Sequence, residues 1–278
     1  MNKLALDDLL RRAMLEDIGT GDITSEAIFA KDHMSKGSLL AKQNMIAAGT
    51  EVFSRVFSLL DNKVTVTFQC TDGDRIHNGQ KFAILQGPTR SLLTGERVAL
   101  NFLQRLSGIA TETRHYVEAC EGYGTVIVDT RKTTPGLRML EKYAVAIGGG
   151  KNHRYGLDTM VLIKDNHIKA AGGILQAVTR ARSVISPYLK IEVETETLEQ
   201  VRTALSAKVD IIMLDNMSLS MIQEATNMIN HQALVEVSGN VTLERIKELA
   251  SAGVNIISSG ALTHSVKAAD ISMRLEEV

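Results

Sequence analysis

From Gly124 onward, short apolar runs rich in β-branched residues alternate with helical periodicity, and nothing else in the chain restricts its fold so strongly. The runs are Thr125–Val128, Met160–Ile163, Leu189–Val193, Ile211–Leu214, Leu234–Val237 and Val254–Ile257. Helical segments lie between them, near Leu137–Ile147, Ile168–Val184, Leu198–Ala207, Leu219–Ile229 and Leu243–Ala252. Thr197-x-x-Gln200 and Ser220-x-x-Gln223 read as capping boxes. Strands that alternate with helices pair in parallel, and strands this apolar are buried on both faces. Six runs fall short of the eight strands of a closed barrel. The expected architecture is an incomplete or irregular α/β barrel, with a doubly wound open sheet as the alternative.

The first part of the chain lacks that strict alternation. Leu6, Leu9, Leu10, Ala13 and Met14 recur at helical spacing, which predicts a helix over Leu4–Leu15, ended by Gly19. Gly19 to Thr24 is a polar turn region. Gly37–Ala41 reads as a strand, and Gly49–Leu60 as a helix with Val52, Phe53, Val56, Phe57 and Leu60 on one face. Val64, Val66 and Phe68 alternate with polar residues, the mark of a half-buried strand, and Asp72-Gly73-Asp74-Arg75 reads as a turn. Lys81–Gln86 is a further strand, broken by Gly87-Pro88. This pattern predicts an α+β domain with an antiparallel sheet. Thr89 to Cys120 is a long helical stretch with a break at Gly108. Arg97, Asn101 and Arg105 share one of its faces, and Arg105 reads as part of a solvated surface.

Composition removes several classes of function. A net charge of −1 gives no global attraction for nucleic acid or anionic membrane, so any basic site is local. Aromatic residues are 4% of the chain and Trp is absent, which leaves no stacking platform for single strands. No apolar run is long enough to span a bilayer, and the N-terminal segment has no signal-peptide pattern. Cys70 and Cys120 are the only cysteines and form no C-x-x-C, which fits a reducing cytoplasm. Gly148-Gly149-Gly150-Lys151 lacks the spacing of a Walker loop, and no G-x-G-x-x-G, G-x-S-x-G or H-E-x-x-H occurs.

The chemistry gathers where strands end, because ligands bind there in parallel α/β folds. The residues just past the runs are Arg131 and Lys132; Lys164; Glu194; Asp215; Ser238, Gly239 and Asn240; and Ser259 and Gly260. With His153 and Arg154 from the first connection, the cations suit a planar polyanion. Lys164 directly continues a buried strand, and a buried lysine needs a partner or a function. Glu194 and Asp215 read either as ligands of one Mg²⁺ or as structural ion pairs with nearby lysines. The two Ser-Gly turns precede helices and suit a phosphate.

At these residues the chain resembles a known family. The segments DTRKTTPGLRMLEKYAVAIGGGKNHRYGLD, VLIKDNHI, IEVETET, DIIMLDNMS, VEVSGN and ISSGALTHS resemble quinolinate phosphoribosyltransferase, also called carboxylating nicotinate-nucleotide pyrophosphorylase. So do EDIGTGDIT (Glu16–Thr24) and ERVALNFLQRLSGIAT (Glu96–Thr111) upstream. The resemblance covers nearly the whole chain, in order. It implies an N-terminal α/β sandwich over residues 1–108, with residues 263–278 returning to it. Residues 109–262 would form an incomplete α/β barrel of the type II phosphoribosyltransferase kind. The implied enzyme is a pentosyltransferase that joins quinolinate to phosphoribosyl pyrophosphate (PRPP). It releases pyrophosphate and CO₂ and yields nicotinate mononucleotide for NAD synthesis.

The resemblance also implies residue roles. Arg131, His153, Arg154 and Lys164 would hold the two quinolinate carboxylates, and Lys132 would face PRPP. Glu194 and Asp215 would serve Mg²⁺–PRPP and the ribose hydroxyls, making Lys164, Glu194 and Asp215 the catalytic set. Ser238, Gly239, Asn240, Ser259 and Gly260 would hold the 5-phosphate. Arg97 would reach a neighbouring subunit's site, giving a homodimer or higher oligomer. Two positions depart from the family's pattern: Asn240 stands where a second Gly is frequent, and Ser258 where Val is frequent. Asn tolerates left-handed backbone angles, so the turn survives. A molybdenum-uptake-associated relative shares Asp-Thr-Arg-Lys, but the intact Lys164-Asp165-Asn166-His167 favours the quinolinate enzyme. The density of cations suits a dicarboxylate better than nicotinate, the substrate of the non-decarboxylating nicotinate phosphoribosyltransferase. A non-catalytic anion binder would gain from losing Glu194 and Asp215.

Overall fold

A computed structural model describes residues 1–276. The chain opens with α1 (Lys3–Ile18), capped by the Asn2 side chain, and α2 (Ile23–Ile28), capped by Asp22. Then follow β1 (Met34–Ala41), β2 (Met45–Ile46), α3 (Thr50–Leu60), β3 (Thr65–Phe68), β4 (Arg75–Ile76), β5 (Lys81–Pro88) and α4 (Thr89–Ala119). The second half runs β6 (Val126–Val128), α5 (Arg138–Ile147), β7 (Val161–Ile163), α6 (Asp165–Ala171), α7 (Ile174–Val184), β8 (Ile191–Thr195) and α8 (Leu198–Ser206). It closes with β9 (Ile211–Asp215), α9 (Leu219–Ile229), β10 (Leu234–Ser238), α10 (Leu243–Ser251), β11 (Ile256–Ser258), α11 (Ala261–His264) and β12 (Ile271–Leu275). Among the described residues no helix is long and apolar enough to cross a membrane.

Two compact units form. The first comprises Met1–Arg114, Thr134–Gly149 and the chain from Val266 on; the second comprises His115–Thr133 and Gly150–Ser265. In the first unit an antiparallel sheet has the order β12-β1-β5-β3. The apolar face of α3 buries Val52, Phe53, Val56 and Phe57, and Phe53 meets Phe57 and Phe68 at ring-centroid distances of 5.3 and 5.7 Å. The turn at Asp72 does more than reverse the chain. Its carboxylate accepts from Gly49 N and Thr50 N at 2.8 and 3.0 Å and so caps α3. Tyr143 Oη donates to the same carboxylate at 2.6 Å. That contact comes from α5, which the sequence reading keeps with the barrel.

Several expectations are corrected here. Gly87 and Pro88 continue β5, paired with Ser35 and Met34, instead of ending it. The long helix α4 passes unbroken through Gly108. A Cβ at Gly108 would lie 2.2 Å from the Lys267 carbonyl oxygen, so this glycine serves a close approach, not a break. Arg105 is not simply solvated: its Nε donates to Glu141 Oε1 at 2.8 Å, and Glu141 is fully buried. A buried carboxylate requires such a partner. Ile168–Val184 is two helices, α6 and α7, divided at Gly172-Gly173. The N-cap of α9 is Ser218, whose side chain accepts from Met221 N, not Ser220. The Thr197–Gln200 capping box forms as expected.

In the second unit the parallel sheet has the order β6-β11-β10-β9-β8-β7. Each strand from β7 to β11 lies beside its neighbour in sequence, and the first strand, β6, lies beside the last. A doubly wound sheet would instead reverse its order at a switch point. The order is that of a barrel open between β6 and β7. At the β6 edge Lys151 bridges to Val128, with Lys151 N donating to Ile127 O at 2.8 Å.

Replacing Gly108 by Ala tests the close approach. Ala is the better helix former by about 1 kcal/mol, yet Gly108→Ala should destabilise by about 2 kcal/mol through overpacking. Urea unfolding checks this, and a neutral or stabilised variant would show that the Lys267 contact does not limit the position.

Candidate active site

The pleat places alternate residues of the parallel strands on one face. Register pairs Glu194 with Met213, Met213 with Glu236, Asp215 with Ser238, and Glu236 with Ile256. Leu162, Glu192, Glu194, Met213, Asp215, Glu236, Ser238 and Ser258 therefore all point inward. A cavity of about 750 Å³ opens above them. Arg131, Lys132, His153, Arg154, Lys164, Glu194, Asp215, Ser238, Gly239, Asn240, Ser259 and Gly260 all line it. The structure thus gathers every predicted site residue except Arg97, which is exposed on α4 in the first unit.

Arg131, Lys132, Arg154 and Lys164 bring their charges to this one cavity. Burial and the charge of neighbouring Arg131 both push the Arg154 pKa down, a strain that an anionic ligand would relieve. Arg154 Nη1 donates to Met160 O at 3.2 Å, which steadies the loop. Lys164 corrects an expectation. It is not buried: its side chain is 46% exposed at the rim, and its Nζ lies 2.6 Å from Glu194 Oε2. Lys164 N donates to His167 Nδ1 at 3.0 Å, anchoring the start of α6. Asn240, with φ 48°, and Gly239, with φ 86°, adopt the left-handed turn that Asn tolerates. Thr242, not this turn, is the N-cap of α10. Gly260 sits between Lys132 and His264, and a Cβ there would meet their side chains at 2.8 and 2.9 Å.

The floor holds what the sequence reading misses. Strands read as apolar on both faces carry Glu192 and Glu236 in their middles, 0% and 1% exposed. His153 Nε2 lies 3.0 Å from Glu192 Oε2 and 3.7 Å from Glu236 Oε2. Its backbone N donates to the buried Asp129 at 2.9 Å. One Oε1 atom on each glutamate has no hydrogen-bond partner. Burial first, then the charge of Glu192, pushes Glu236 up to about 7. The signal was available: a carboxylate inside an apolar strand, two residues before the strand-end group.

Comparison with known proteins now has a geometry to rest on. Residues 109–274 match the family model "Quinolinate phosphoribosyl transferase, C-terminal domain", and residues 22–107 match its N-terminal domain. A Bacillus subtilis (strain 168) relative, "Probable nicotinate-nucleotide pyrophosphorylase [carboxylating]", is 49% identical over 98% of this chain and 94% of its own. The chain belongs to the quinolinate phosphoribosyltransferase family. A Nicotiana tabacum relative, "Quinolinate phosphoribosyltransferase [decarboxylating] 2b, mitochondrial", is 43% identical over 98% of this chain and 82% of its own. The crystal structure of NadC from Streptococcus pyogenes superposes with a TM-score of 0.96 at 45% identity, covering 99% of this chain and 98% of that one. The fold is that of these phosphoribosyltransferases: an α/β sandwich with an antiparallel sheet, and an incomplete α/β barrel.

The buried pair gives the family member a pH-dependent stability. Folded, Glu236 keeps its proton to about 7, against an ordinary value of 4.5. Between those values the folded state binds the extra proton, so stability falls as pH rises through this window. Urea unfolding at pH 5 and pH 8 should show the native chain losing about 2.5 kcal/mol relative to Glu236→Gln. A difference that is flat or rises with pH would contradict the assignment.

Proposed function

We propose that this chain transfers the phosphoribosyl group of PRPP to the ring nitrogen of quinolinate, with loss of pyrophosphate and CO₂, to give nicotinate mononucleotide for NAD synthesis. Family membership supports the reaction. The observation that carries it is one cavity lined together by cations, by strand-end carboxylates and by a left-handed Gly-Asn turn. A dicarboxylate fits the first part, ribose hydroxyls the second and a phosphate the third.

Arg131, Arg154 and Lys164 bind and orient the quinolinate carboxylates, with His153 fixed from below by Glu192 and Glu236. Lys132 faces the diphosphate, while Ser238, Gly239, Asn240, Ser259 and Gly260 take the 5-phosphate. Glu194 and Asp215 are oxygen donors at the ends of adjacent strands, the donor chemistry Mg²⁺ accepts when substrate phosphates complete its shell. Bound there, Mg²⁺ would neutralise charge on the departing pyrophosphate. The protein's share is position and electrostatics, since the ribose becomes oxocarbenium-like as the pyridine nitrogen attacks. Alkylation makes the ring cationic; the ring then accepts the electrons of the departing carboxylate, and a proton from water takes the place of CO₂ on that carbon. Lys164 Nζ donates to Glu194 Oε2 at 2.6 Å. Quinolinate competes for that cation, which frees the carboxylate for PRPP.

Exposed Arg97 supports a homodimer or larger oligomer in which it completes a neighbour's site. The free thiols Cys70 and Cys120 support a cytoplasmic location.

Purified protein with quinolinate, PRPP and Mg²⁺ should form nicotinate mononucleotide and CO₂ in equal amounts, with nicotinate inert. Nucleotide from nicotinate without CO₂ would refute the decarboxylating reading. Lys164→Ala should lower kcat/KM for quinolinate by about tenfold or more, the loss of a charge-assisted hydrogen bond. Near-normal kcat/KM for quinolinate in that variant would remove Lys164 from the carboxylate site.

A further inference from the structure

Between the Asp215 carboxylate and the glycine turn lies a side-chain amide to which the reading above gives no role. Asn216 follows β9 with φ 54°. Its Nδ2 donates to Asp215 Oδ2 at 2.9 Å. A carboxylate only accepts, so this bond fixes the amide's orientation and leaves Oδ1 as an acceptor. Asn240 Nδ2 donates to that Oδ1 at 3.0 Å. The backbone repeats the tie, with Asn216 N donating to Ser238 O at 3.0 Å. A Cβ at Gly239 would lie 2.2 Å from Asn216 Oδ1, so the turn's glycine is required by this amide as well as by its own φ. Asp215, Asn216, Gly239 and Asn240 all line the cavity.

We infer that Asn216 is a positioning residue that couples the Asp215 carboxylate to the Ser238–Asn240 turn, with the Asn240 side chain closing the link, so that the ribose end and the phosphate end of PRPP are held in one fixed register. The inference rests on the phosphoribosyl-transfer reading. Its physical basis is pre-organisation. PRPP spans two loops that follow different strands, and ordering them before binding removes an entropic cost that the substrate would otherwise meet. A glycine at 240 could form the turn but not the link. Arg245 Nη1, which donates to Asn240 O at 3.0 Å, ties the same turn without reaching Asp215.

The test is a double-mutant cycle of Asn216→Gly and Asn240→Gly. Both positions have left-handed φ, so glycine keeps the backbone and removes only the side-chain bonds. PRPP affinity by calorimetry and the KM for each substrate are the readouts, with Arg245→Gln as the control for a purely structural tie. Each single change should weaken PRPP binding about tenfold, and the double change should weaken it no further than the worse single. The quinolinate KM should stay within about twofold, and Arg245→Gln should leave PRPP affinity near wild type. Asn240→Asp keeps the side chain's size but offers Asn216 Nδ2 a rival carboxylate, and should weaken PRPP binding as well. Native PRPP affinity in Asn240→Gly, multiplicative losses in the double variant, or an equal loss in Arg245→Gln would overturn the link alone. Wild-type protein that does not bind PRPP would overturn the functional reading, and the link with it.

Discussion

The pleat of the parallel strands governs the second unit. Once β7 to β11 pair in register and β6 closes on β11, every second side chain shares one interior. Depth along a strand then sets chemistry. At mid-strand Glu192 and Glu236 are sealed from water; two residues on, Glu194 and Ser238 reach the cavity. Buried charge is expensive unless paired, so the mid-strand carboxylates sit against His153 and burial raises the pKa of Glu236, while Glu194 and Ser238 line the cavity.

The cavity accordingly brings cations and carboxylates together. Arg131 and Arg154 repel each other at one wall, and the carboxylates of Glu194 and Asp215 stand at neighbouring strand ends. The Lys164–Glu194 ion pair joins the two sets. Half-exposed, that pair adds little to stability. Its consequence is geometric: it sets a cation from the end of β7 against a carboxylate from the end of β8.

The first unit depends on contacts distant in sequence. Asp72 caps α3 and receives the Tyr143 hydroxyl; Arg105 compensates buried Glu141; Gly108 admits the Lys267 carbonyl. Arg105, Asn101 and Arg97 look alike on a helical projection. Only the buried carboxylate on α5 distinguishes Arg105 from the exposed Arg97. A pattern read along one helix cannot show what another segment presents to it.

Local chemistry by itself determined the alternating strands and helices, the Thr197 cap, the left-handed tolerance of Asn240 and the polar residues at each strand end. These follow from periodicity and from backbone preferences that act within a few residues. The strand order that makes a barrel rather than a doubly wound sheet was decided only by tertiary pairing. So were the burial of Glu192 and Glu236 around His153, the exposure of Lys164, and the Asn216 bridge from Asp215 to Asn240. The physical reason is common to all four. Burial and partnership depend on which strands become neighbours, and that is settled by the closure of the sheet rather than by any single segment.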